Sequence, residues 1–139
     1  MICAQIALTV PFHDVDALEI VWHGHYVRYL ELARCAVLKV IDYDYARMRE
    51  SGYSWPVIEL KLRYPQPARF DQRILVRAEL VEWENRLCFS YEIVDAETRR
   101  RLTTADSTQV AVDLATQAMC FESPPILFRK LGLEPPSSL

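Results

Sequence analysis

The chain of 139 residues has no excess of basic charge: 16 Lys and Arg stand against 19 Asp and Glu, for a net charge of −3. That balance offers no general attraction to nucleic acid, whose binding needs a basic face. No apolar run approaches the roughly 18 residues that span a bilayer. The stretch MICAQIALTVPFHD lacks the basic start and apolar core of a secretion signal, so no membrane span and a cytoplasmic location are expected. Cys3, Cys35, Cys88 and Cys120 are scattered, with no CxxC pair. That spacing carries no zinc or redox-dithiol signature and no disulfide framework. Repeats, low-complexity tracts and long linkers are missing too, which predicts one domain over residues 1–139.

What is present is an ordinary globular balance, 51% hydrophobic and 25% charged, in two halves with different periods. Residues 2–10, ICAQIALTV, read as a strand, and Pro11 to about Trp22 as a connection. From about Gly24, Tyr26, Tyr29, Leu30, Ala33, Val37, Val40 and Ile41 recur at three- and four-residue spacing, the mark of a helix. Leu32, Cys35, Ala36 and Leu38 widen its apolar surface, which predicts burial on more than one side. DYARMRE, residues 44–50, predicts a short second helix. In VIELKLRY, Ile58, Leu60, Leu62 and Tyr64 alternate with charged residues as a half-buried strand. ILVRAELVEW, RLCFSYEIVD and LTTADSTQVAVDL predict three more strands joined by tight turns, and SPPILFRKLG a terminal helix. Four consecutive strands after one long helix imply an α+β fold with an antiparallel five-stranded sheet covering that helix. Such a sheet leaves an edge or face to cover, for which dimerisation is one solution.

Ionisable residues crowd the segment PFHDVDALEIVWHGHYVRYLELAR, residues 11–34, just before the helix. Asp14 and Asp16 fall in a connection, where aspartates commonly bond to nearby backbone. Asp16, however, shortly precedes a helix start, whose first N–H groups lack internal partners and carry partial positive charge. A carboxylate and free N–H donors facing one cavity make a base and an oxyanion hole, as acyl transfer requires. Gly24 removes bulk where a ligand would approach the backbone. His23 and His25 read equally as capping or packing residues. Together with His13 and the two aspartates they could supply zinc ligands, but without a metal-binding frame in the spacing, and no metal or other cofactor is expected.

The pattern Asp-x-Asp-Ala, then Trp22-His23-Gly24 and the run YVRYLELAR, resembles the hotdog-fold acyl-CoA thioesterases, most closely the 4-hydroxybenzoyl-CoA thioesterase and YbgC-like branch. YPQPARFDQ is similar to that branch's connector between strands. The resemblance implies a thioesterase that hydrolyses acyl-CoA or acyl-carrier-protein thioesters. It implies a homodimer or tetramer, with Asp16 as catalytic aspartate and His23 at the second active-site position. The N–H groups of His23 and Gly24 would polarise the carbonyl. Trp22, Tyr26, Arg63 and Arg69 are candidate substrate contacts. The chain departs from the pattern at Leu18-Glu19, where many relatives carry Gly-Gly.

Two other readings stay open. A hotdog dehydratase or hydratase would use a helix carboxylate, for which Glu31 is available, although its His-Phe-Pro-like motif is missing. A non-catalytic acyl-thioester binding module would give Asp16 no task. Arg99-Arg100-Arg101 reads as a solvated turn or as a contact for phosphates or an acidic carrier.

Overall fold

The computed structural model describes residues 1–136. Strand β1, Ile2–Thr9, opens the chain, and the long helix α1 spans Tyr26–Val40 behind a short 3-10 turn, His23–His25. Helix α2 (Tyr45–Glu50) follows, then β2 (Tyr53–Ser54), β3 (Val57–Arg63), β4 (Arg73–Glu82), β5 (Leu87–Asp95), β6 (Arg101–Gln109), β7 (Val112–Asp113) and α3 (Pro125–Lys130). Five strands form one antiparallel sheet in the order β1-β4-β5-β6-β3. Its inner face wraps α1, the hotdog arrangement that the resemblance implied. No helix among the described residues is long and apolar enough to cross a membrane.

Alternation makes the sheet two-faced. Ile74, Val76, Ala78 and Leu80 of β4, with Leu87, Phe89, Tyr91 and Ile93 of β5, are buried toward α1. From the helix, Tyr26, Tyr29, Leu30, Ala33, Val37 and Leu38 meet them. The opposite face is polar, with exposed or half-exposed ion pairs Arg77–Glu79, Arg101–Glu92 and Arg63–Asp106. The short helices end as their sequences require. Asp44 caps α2 by accepting the Arg47 N–H at 3.0 Å, and Gly132 past α3 takes φ 74.

Three expectations need correction. The last predicted strand breaks after Gln109, and Val112–Asp113 leaves the main sheet to pair with Tyr53–Ser54. Helix α1 is buried on one side only: Leu32 is 54% and Val40 65% exposed. Strand β3 lies at the sheet edge, so Val57, Ile58 and Leu60 stand exposed rather than half-buried.

Candidate active site

The connection between β1 and α1 is a folded unit. Asp16 N–H donates to the Ile20 carbonyl, and Trp22 N–H to the Asp14 carbonyl. Residues 14–16 thereby run antiparallel to 20–22 around a turn. The Asp16 carboxylate accepts the Leu18 N–H at 2.8 Å, the local bond that aspartates in turns favour. Glu19 closes the turn at φ 64, a left-handed conformation that favours glycine. Val21 N–H donates to the Ala68 carbonyl, and Ile20 bridges Arg69, so the connector before β4 forms the unit's other border.

At the helix start His25 N–H donates to the Trp22 carbonyl. The N–H groups of His23 and Gly24 have no acceptor among the described residues, as first-turn donors ordinarily do not. Gly24 also makes room for a neighbouring side chain. A Cβ built on it would fall 2.2–2.8 Å from three ring carbons of Trp22. The indole, 48% exposed, covers the glycine and stands 5.0 Å from the His23 ring and 5.2 Å from the His25 ring.

The two aspartates are not equivalent. Asp14 is 1% exposed, and its Oδ2 accepts the Tyr29 hydroxyl at 2.5 Å while Oδ1 accepts from Arg28 at 2.5 Å. Burial works to raise its pKa, but the bonds from Tyr29 and Arg28 and the guanidinium charge outweigh burial and hold it below the usual carboxylate range. Burial and the same carboxylate push the Tyr29 hydroxyl well above the ordinary tyrosine value. Asp16 is half-buried and makes no ion pair among the described residues. Sequence reasoning missed Asp14, Arg28 and Tyr29 as a cluster, because their partnership crosses the loop-to-helix boundary.

The other candidates fall in different places. Tyr26 is core, 2% exposed, and its hydroxyl accepts the Ala68 N–H at 2.9 Å. Tyr64, which was not among the candidates, packs 5.1 Å from the Tyr26 ring and donates to the His23 carbonyl at 3.1 Å. Arg63 lies on the outer face, 3.9 Å from Asp106. Arg69 lines a cavity of about 330 Å³ with Phe12, Val15, Glu19 and Phe70, beside the Asp16 turn. Arg99, Arg100 and Arg101 are exposed. Glu31 is engaged on both oxygens, by the buried Arg34 and by the Tyr45 hydroxyl at 2.8 Å. No three His, Cys, Asp or Glu side chains converge as a metal site among the described residues.

Comparison with known proteins places the chain and its fold. Protein sll0410 of Synechocystis sp., provisionally named an esterase, is 33% identical over 124 residues, covering 88% of this chain and 75% of its own. The acyl-CoA thioester hydrolase YbgC of Escherichia coli is 29% identical over 105 residues, covering 75% of this chain and 78% of its own. The fold matches that of Slr0204, a 1,4-dihydroxy-2-naphthoyl-CoA thioesterase from Synechocystis. The TM-score is 0.82 at 19% identity, over 94% of this chain and 96% of that one. A family model covers residues 10–133, from the end of β1 to just past α3, and by that match the chain belongs to the thioesterase-like superfamily.

Proposed function

We propose that this chain hydrolyses acyl thioesters of coenzyme A, or of acyl carrier protein, to the free acid and thiol. The observation that carries this reading is that the half-buried Asp16 and the unpartnered N–H groups of His23 and Gly24 belong to one folded unit, tied by the Trp22–Asp14 and Asp16–Ile20 backbone bonds. In this reading the carbonyl oxygen sits on those N–H groups. Asp16 activates water, or attacks the carbonyl directly to give a mixed anhydride that water then opens. A thiolate, whose parent thiol has a pKa of about 8.5, leaves with little acid help. One oxyanion donor is worth about 100- to 1,000-fold in turnover. The YbgC name supports coenzyme A as carrier. Arg69, in the cavity beside the Asp16 turn, is the candidate substrate contact that this reading keeps.

The chain acts in this reading as one cytoplasmic domain that pairs with a second copy. Support for pairing is the free edge of β3, with Val57, Ile58 and Leu60 exposed beside its unpaired backbone groups. The dehydratase reading loses support because both Glu31 oxygens are engaged.

The test is thiol release from short, medium, long and aromatic acyl-CoAs and from acyl carrier protein, with an enzyme-only blank for the four cysteines. Wild type should turn over at least one class, and Asp16→Asn, which retains an acceptor for the Leu18 N–H, should lose about 100-fold or more. Full activity in the variant, or none with any substrate in wild type, overturns the proposal.

A further inference from the structure

The first turn of α1 carries a polar group that the hydrolytic reading leaves unused. An Arg28 terminal nitrogen, which donates to Asp14 Oδ1 at 2.5 Å, also lies 3.2 Å from His25 Nδ1. A guanidinium has donors and no acceptor, so Nδ1 must offer its lone pair to Arg28. A neutral imidazole holds one proton, which then resides on Nε2. That nitrogen has no partner among the described residues.

Arg28 is not free to take another pose at little cost. Its side chain is 56% exposed, but the Asp14 carboxylate that holds it is 1% exposed. The Tyr29 hydroxyl, on the other oxygen at 2.5 Å, fixes the orientation of that carboxylate. The Trp22 ring meets the His25 ring edge-on at 5.2 Å. The imidazole is thus held from two sides, at the same turn as the unpartnered N–H groups of His23 and Gly24.

We propose that Asp14 and Arg28 lock His25 in its Nε2–H form, making it a side-chain hydrogen-bond donor to the thioester at the start of α1. This rests on the reading of that turn as the thioester site. His25 touches substrate, and Asp14 and Arg28 are positioning residues. No proton is transferred: the N–H···O bond strengthens as negative charge builds on the carbonyl oxygen, and a bond to a charged acceptor is stronger than one to a neutral acceptor.

The experiment has a spectroscopic arm and a kinetic arm. Long-range proton–nitrogen spectra of the labelled protein at pH 8, assigned with His25→Phe, should show His25 as the Nε2–H tautomer, giving way to a mixture in Arg28→Met. With the best substrate, His25→Phe and His25→Asn should lower kcat by about tenfold to 100-fold with KM little changed. His25→Gln, whose amide nitrogen lies near the place of Nε2, should recover most of the rate. An Nδ1–H or mixed tautomer in wild type, or unchanged kcat in His25→Phe, overturns the proposal. The two readings fail separately. Undiminished activity in Asp16→Asn sinks the hydrolytic mechanism, whereas an Asp16-dependent enzyme indifferent to His25→Phe sinks only the donor.

Discussion

The hydroxyl of Tyr29 donates to the Asp14 carboxylate at 2.5 Å across fifteen residues of sequence, fastening the β1–α1 loop to the helix that it introduces. Tyr29→Phe leaves the packing intact and removes the donor. It should cost about 1.5–3 kcal/mol, the range for hydrogen bonds to charged groups, measured as a fall in the urea midpoint at neutral pH.

The same bond sets an acid dependence. Asp14 is held below the usual carboxylate range, with Tyr29 and Arg28 outweighing burial. The folded state therefore takes up this proton less readily than the unfolded chain, whose aspartate titrates near pH 3.9. The stabilisation is present above that pH and lost as pH falls through the lower folded value. Urea midpoints from pH 6 downward should fall more steeply for wild type than for Asp14→Asn.

Gly24 tolerates no Cβ while the Trp22 ring keeps its place. Gly24→Ala should push the indole outward, cost about 1–3 kcal/mol as an overpacked site, and red-shift its fluorescence. Gly24→Ala combined with Trp22→Ala should recover most of the stability, since the clash then has no second partner.

Glu19 sits at φ 64. A non-glycine residue pays about 1–2 kcal/mol for that conformation, and glycine gives back roughly 0.5–1 kcal/mol of it as unfolded-state entropy. Glu19→Gly should therefore stabilise the protein by about 0.5 kcal/mol, seen as a small rise in Tm.

The exposed edge of β3 gives a prediction about assembly. Leu60→Lys places a charge on the uncovered strand, a device that discourages edge pairing. Sedimentation should report twice the chain mass of 16.2 kDa for wild type and the single mass for the variant. A single mass for both would remove the pairing reading.

The periodic parts of the fold were legible in the sequence, and the crossings were not. Tyr26, Tyr29, Leu30, Ala33 and Val37 announced the buried stripe of α1 by spacing, and the alternation in β4 and β5 announced their inner faces. LTTADSTQVAVDL gave no sign of its break, because Val112 leaves the sheet to meet Ser54, a partner distant in the chain. Within the candidate site, the position of Asp16 shortly before the helix start was legible from order alone. The burial of Asp14 was not: two aspartates in one turn look alike until Tyr29 comes round the helix to claim the first.

The ion pairs on the outer face of the sheet have a consequence for solubility. Each exposed pair adds little to folding stability, about 0–1 kcal/mol. Together, Arg77–Glu79, Arg101–Glu92 and Arg63–Asp106 keep the broad back of the sheet hydrated and close to neutral. A second sheet stacking on that back would have to strip water from both signs of charge at once. Face-to-face stacking is thereby penalised in either direction, which leaves the exposed apolar edge of β3 as the more favourable surface for self-association.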